Sequence, residues 1–268
     1  MLQIIKSYIK FLWNSKNQHG VHSPFVFDLV TKCFYDKSNY PEYSILKNYR
    51  KALLQNKNTI EIIDFGAGSR VFKSNTRAIN KIAKNAAISS KRAELLFRLV
   101  NYFQPPSILE IGTSLGLATA ALSIGNPKAK ITTLEGCENT LAISKNQFEK
   151  FNFSNINPVI TEFSSYLKNY QLSHERQRTG EAIVNYQLIF FDGNHSKKAT
   201  LDYFELLLPT ITNETVWIFD DINWSAEMAA AWEIIKDHPK VTVTIDTFQW
   251  GIVFFRSEQE KEHFTIRL

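Results

Sequence analysis

The sequence predicts an α/β fold: a doubly wound, mostly parallel sheet of seven strands preceded by an N-terminal helical extension. Three observations lead there. Short apolar runs alternate with helical patterns from residue 107 onward, which is the order of a parallel sheet covered by helices. A glycine turn, Gly112 to Gly116, separates the first such run from its helix. The last two runs, Val241 to Ile245 and Trp250 to Phe255, are joined by a short turn with no helix between them, so they pair antiparallel.

Residues 1–90 read as the extension, with helical patches over 2–13, 25–34 and 43–55 and with Gly20 and Pro24 as breakers. Residues 91–268 read as the main domain. Lys91 to Phe103 is an amphipathic helix stopped by Pro105 and Pro106. Ile108 to Ile111 is a buried strand, and Leu115 to Ser123 is the helix after the turn. Ile131 to Leu134 is a second strand, followed by a helix over 138–151. Asn157 to Ile160, Gln187 to Phe191 and Thr215 to Phe219 are further strands, with helices at Ala199 to Leu208 and Ala226 to Ile235. The polar segment 169–185 reads as a loop or surface helix.

Composition narrows the function classes. A chain of 268 residues and 30.9 kDa, 44% hydrophobic, can bury a full core. No apolar run approaches the roughly 18–20 residues of a membrane span. The segment Met1 to Trp13 lacks the long apolar core and cleavage site of a signal peptide. It reads as an amphipathic helix packed on the domain or on a partner subunit rather than lying on a membrane, and it offers a homodimer contact. Cys33 and Cys137 are the only cysteines, which supports neither a disulfide framework nor a structural zinc site. The expected compartment is the cytoplasm. A net charge of +5 permits nucleic acid as a partner without favouring it.

The turn carries the first chemistry. Glu135 closes the second strand, 23 residues beyond Gly112. Strand, glycine turn, helix, strand and acid form the βαβ layout that holds a nucleoside, the acid accepting from two ribose hydroxyls at about 20 residues' spacing. A dinucleotide fingerprint wants three glycines, and Glu110, just before the turn, would repel a pyrophosphate. The same carboxylate suits a ligand bearing an ammonium and a sulfonium. A second glycine loop, Asp64 to Ser69, lacks a following strand and acid; it reads as a short strand and turn in the extension.

Leu109-Glu110-Ile111-Gly112-Thr113-Ser114-Leu115-Gly116 resembles motif I of the class I S-adenosylmethionine-dependent methyltransferases, in particular the O-methyltransferases related to catechol O-methyltransferase. The resemblance extends over residues 91–268 and implies that fold, that cofactor and an acceptor hydroxyl on a small molecule. It implies cofactor contacts from Glu110, Gly112, Thr113, Ser114, Gly116, Glu135 and Asp192. It also implies that Glu162 and Phe163 hold the adenine, and that Ser89 and Ser90 approach the methionine end.

A second group of acids stands at strand ends. Asp192 closes the fourth strand, and Asp220 and Asp221 close the fifth. Neighbouring strands bring these carboxylates to one point, where a cation must offset their repulsion, and oxygen-only donors select Mg²⁺ or a similar hard ion. The set resembles the site of the metal-dependent O-methyltransferases, many of which carry Asn where Asp221 stands. His195, three residues after Asp192, completes an Asp-Gly-x-His pattern similar to a sugar and natural-product branch, in which it serves as the base alongside Asp192; a pKa near neutrality suits that role. Asn194 cannot accept the proton. Lys197 is a backup, and Lys198 is solvated. His19 and His22 lack a third ligand and read as structural. Trp217, Trp232 and Trp250 are core, while Trp224 can line an acceptor pocket.

The expected function is therefore a divalent-metal-dependent O-methyltransferase acting on a small molecule. The alternatives are a tRNA-modifying methyltransferase, whose basic extension would grip phosphates, and a non-catalytic S-adenosylmethionine-binding scaffold. A dinucleotide oxidoreductase is disfavoured by Glu110 and the missing glycine.

Overall fold

The computed structural model describes residues 2–63, 74–176 and 185–268. The chain divides into two compact units, one of residues 1–31 and 164–268, the other of residues 32–163. The Asp64–Ser69 loop lies outside the described residues.

The first unit opens with α1 (Leu2–Asn14) and α2 (Pro24–Leu29), the latter running on through one π-type turn to Phe34. Ser23 caps α2, accepting from the Val26 amide, and Pro24 occupies the first helical position, where its missing N–H costs nothing. α1 packs Phe11 and Tyr8 on Phe248, with ring centroids 5.5 and 4.8 Å away. Its other face is open on this unit: Trp13 is 88% exposed.

The second unit holds α3 (Glu42–Gln55), β1 (Thr59–Glu61), β2 (Thr76–Ala78), α4 (Ile79–Asn85), α5 (Ser90–Phe103), β3 (Ser107–Ile111), α6 (Leu117–Gly125), β4 (Lys130–Glu135), α7 (Glu138–Lys150) and β5 (Ile156–Ile160). β1 and β2 form a small antiparallel pair. β3, β4 and β5 pair in parallel, in that order. β3 is buried at every position, the burial of a parallel strand covered on both faces. α5 starts at Ser89, whose hydroxyl accepts from the Arg92 amide, and ends at Gln104 in a left-handed conformation.

The first unit resumes with α8 (Phe163–Arg176), β6 (Leu188–Phe191), α9 (Lys197–Leu207), β7 (Val216–Phe219), α10 (Ala226–Asp237), β8 (Val243–Asp246), β9 (Gly251–Phe254) and β10 (Glu262–Thr265). Its strands run in the order β10-β8-β9-β7-β6. β6 pairs β7 in parallel, with Phe191 beside Phe219, and β9 is antiparallel to both β7 and β8. The core here is aromatic: Phe191 stacks on Phe219 at 4.1 Å, and the buried Trp217 meets Phe204 and Phe255 edge-on. Trp232 lies where a side chain on Gly251 would have to go, 2.5 Å from an added Cβ.

The α/β class and the antiparallel pair match the expectation from sequence. β10, parallel to β8, is an addition that raises the strand count of these two sets from seven to eight. Its Glu262-His263-Phe264-Thr265 carries charged and polar residues around a single phenylalanine, so it has no apolar-run signal. No helix among the described residues is long and apolar enough to cross a membrane.

Candidate active site

The turn after β3 is built by left-handed backbone. Gly112, Ser114 and Gly116 have φ of 106°, 48° and 75°, a region open to glycine and costly for other residues. Gly112 and Thr113 both donate to the Leu134 carbonyl at 3.0 Å, and the Gly116 amide closes the turn on Thr113. The glycine at 116 answers to packing as well. A Cβ there would lie 2.5 Å from the Phe148 ring and 2.6 Å from the Tyr49 hydroxyl.

Tyr49, fully buried on α3, donates its hydroxyl to the Leu115 carbonyl at 2.9 Å. A helix expected to belong to an extension therefore holds the turn in place. Tyr49 stands 66 residues from Leu115, and no local pattern marks it.

Glu135, at the end of β4, accepts the Ser114 amide at 2.8 Å on one oxygen and the Cys137 amide at 2.9 Å on the other. Its carboxylate is thereby fixed against the turn. A carboxylate at the end of this strand is the kind of acceptor a ribose diol takes.

Glu110 is placed differently from the expectation of a direct ligand contact. Its side chain is fully buried. Oε2 accepts from the hydroxyls of Thr119 and Thr133, both at 2.5 Å, and Thr133 meets Thr113 at 2.6 Å. Glu110 thus ties together α6, β4 and the turn. Burial pushes its carboxyl up to about 8, the two threonine hydroxyls acting against the rise and the charge of Glu135 adding to it. Its Oε1 is buried with no hydrogen-bond partner among the described residues. A neutral acid in this position is a brace.

Glu162 is exposed and Phe163 lies at the start of α8. Ser89 serves as a cap, and Ser90 begins α5. S-adenosylmethionine fits the glycine turn and Glu135 by these observations, with Glu110 supporting the loop from behind.

In the other unit, Asp192 follows β6 and Asp220 follows β7, and the Asp220 amide donates to the Phe191 carbonyl at 2.9 Å. These strand ends are adjacent, as the sequence implies. Asp220 is buried, and its Oδ1 accepts the Asp221 amide at 2.8 Å. Asp221 has φ 55°, its carbonyl accepting from Trp224. Among the described residues no group of three or more His, Cys, Asp and Glu side chains could hold a metal ion. Asp192, Asp220 and Asp221 carry the oxygen-only chemistry that suits Mg²⁺.

His195 does stand by Asp192, with Nε2 3.6 Å from Oδ1 and side chains 26% and 22% exposed. Ser196 caps α9 behind it, accepting from Ala199, and Asn194 turns the loop with φ 53°. Trp217, Trp232 and Trp250 are buried, whereas Trp224 is half-exposed. His19 is exposed in a short 3₁₀ turn, beside the Gln18 amide.

Comparison with known proteins agrees with the geometry. Residues 109–222 match the model of a methyltransferase domain family. No curated protein matches the chain. A methyltransferase of Podospora anserina, solved with S-adenosylhomocysteine, is similar at 14% identity, covering 88% of this chain and 97% of its own, with a TM-score of 0.60. An O-methyltransferase of Bacillus cereus in complex with S-adenosylhomocysteine is 18% identical over 84% and 95%, TM-score 0.53. An O-methyltransferase of tomaymycin synthesis from Streptomyces achromogenes, in complex with S-adenosylmethionine, is 14% identical over 87% and 96%, TM-score 0.56. At these identities the likeness is one of fold.

Proposed function

We propose that this chain, a class I methyltransferase by its fold and by its matched domain, moves the methyl group of S-adenosylmethionine to a hydroxyl oxygen of a small molecule. The observation that carries the proposal is the Glu135 carboxylate, held by the Ser114 and Cys137 amides beside a left-handed glycine turn. S-adenosylmethionine, when bound, supplies a methyl on a sulfonium and departs as a neutral thioether.

The chain's own residues do the rest. Glu135 accepts the ribose hydroxyls, and Gly112 to Gly116 give the backbone a close approach. Thr113, Thr119, Thr133 and Glu110 keep that turn from moving, since each hydroxyl is committed to a neighbour in the chain. Rigidity here serves the rate, because positioning is the larger part of catalysis when the donor is already activated.

His195 takes the acceptor's proton as the oxygen–methyl bond forms and the sulfur–methyl bond breaks. With Nε2 turned to Asp192, Nδ1 is the nitrogen assigned to receive it, and the Asp192 carboxylate stabilises the imidazolium that results. No step is drawn through Mg²⁺. The support for a divalent ion is the oxygen-only chemistry of Asp192, Asp220 and Asp221. A melting temperature that Mg²⁺ raises in the native chain, and leaves unmoved in Asp220→Asn, would bring the ion back into the mechanism.

The test is a screen of hydroxyl-bearing small molecules with methyl-labelled S-adenosylmethionine. Label on an acceptor oxygen, lost in His195→Gln, is the expected result. Label found only on nitrogen, on carbon or in added tRNA would overturn the acceptor assignment.

A further inference from the structure

The first helix, α1, presents a face that the fold does not use. Ile4, Ser7 and Phe11 lie along the side turned to the protein, where Phe11 is buried against Phe248. Ile5, Ile9, Leu12 and Trp13 follow the i, i+4, i+7, i+8 spacing of a single stripe, and all four are exposed, Ile9 by 59% and Trp13 by 88%. Tyr8 borders the stripe and is itself 46% exposed.

Lys6 and Lys10 run beside this stripe, and with Ile9, Trp13 and Asn14 they line a surface hollow of about 320 Å³. Charge on this segment has one sign. Lys6, Lys10 and Lys16 are present, and the first acidic residue of the chain is Asp28. No helix of the described residues can span a bilayer, but the face of α1 has the composition of a helix that lies in an interface: aliphatic side chains to enter, a tryptophan at the boundary, and lysines to meet anionic headgroups.

We propose that α1 docks this protein on the surface of an anionic phospholipid bilayer. Charge complementarity selects that occupant over a second copy of the chain. A two-fold contact through this stripe would set the same lysines of both copies close together with no acid on the helix to offset them. A negatively charged leaflet gains from each lysine instead. α1 packs on the unit through Phe11 and Tyr8, and its exposed Trp13 side is the face offered to the bilayer. Docking there places the enzyme beside acceptors that partition into or near lipid.

Co-sedimentation of the full chain with vesicles tests it. Vesicles containing phosphatidylglycerol should carry the protein down, vesicles of phosphatidylcholine alone should not, and added salt should release it. Lys6→Ala and Lys10→Ala should each weaken binding about five-fold. Ile9→Ala with Trp13→Ala should abolish it while leaving the melting temperature and S-adenosylhomocysteine affinity unchanged, since these side chains contribute to neither. Failure to sediment with anionic vesicles overturns the proposal, as does equal binding by the double variant. So does a dimer in sedimentation equilibrium that the same double variant dissociates, because the stripe would then belong to a second copy.

Discussion

The turn after β3 and the loops after β6 and β7 occupy equivalent places, each at the C-terminal end of parallel strands, yet they are built in opposite ways. Around the turn, the polar groups are mostly tied to one another: Thr113 to Thr133, Thr133 and Thr119 to Glu110, Ser114 and Cys137 to Glu135. Tyr49 and Phe148 press on it from outside. After β6 and β7, by contrast, Asp192 and His195 are partly exposed and 3.6 Å apart, and Asn194 and Asp221 turn the chain through left-handed conformations. A nucleoside cofactor has one shape, so its site can be braced throughout. An acceptor site on surface loops keeps room to adapt. The comparison makes the first region a part whose alteration costs stability and cofactor affinity together, and the second a part whose alteration costs turnover alone.

The sharpest break between the two regions is His195→Gln. Turnover with an acceptor found in the screen should fall by roughly 10²–10⁴-fold, with S-adenosylhomocysteine affinity unchanged by calorimetry. A loss of cofactor binding in that variant would erase the division. Gly116→Ala should act in the reverse sense, since its Cβ meets Phe148 and Tyr49 at φ 75°. A destabilisation of about 3 kcal/mol, read by denaturant unfolding, is expected from the overlap and the backbone strain together. Tyr49→Phe removes only the hydrogen bond to Leu115 and should cost about 1 kcal/mol by the same measurement.

The smallest effect is one of pH. Glu110 holds its proton up to about 8 in the folded chain, whereas an unfolded glutamate ionises near ~4.3. Its contribution to stability is therefore whole below the unfolded value and is lost as pH rises toward about 8. Thermal melting across that window should fall with pH more steeply in the native chain than in Glu110→Gln. Parallel curves would mean that Glu110 ionises normally and is no neutral brace.

Much of this architecture is legible in the amino-acid sequence alone. The turn between Ile111 and Leu117 and the acid closing β4 follow from apolar runs, glycines and spacing, because a buried parallel strand leaves few choices of residue. The pairing of β6 with β7 follows from the same logic. Contact between distant parts of the chain is what sequence patterns do not carry. The role of Tyr49 depends on α3 reaching Leu115, and nothing in Glu42–Gln55 marks one tyrosine over its neighbours. The position of Glu110 along its strand suggests a residue facing a ligand, while the threonines that enclose it leave no mark in the local pattern. The adjacency of the β6 and β7 ends that carry Asp192 and Asp220 can be read from strand order, but the left-handed backbone at Asp221 cannot.

The central claim is that the turn and Glu135 form an S-adenosylmethionine site. Calorimetric titration of S-adenosylhomocysteine into the native chain and into Glu135→Gln tests it most directly. Micromolar binding that weakens about ten- to a hundred-fold in the variant is the predicted result, the loss expected when a charged acceptor of the ribose hydroxyls is neutralised. Absence of binding to the native chain, or equal affinity in the two proteins, would contradict the account and leave Glu135 as a carboxylate that merely closes a turn.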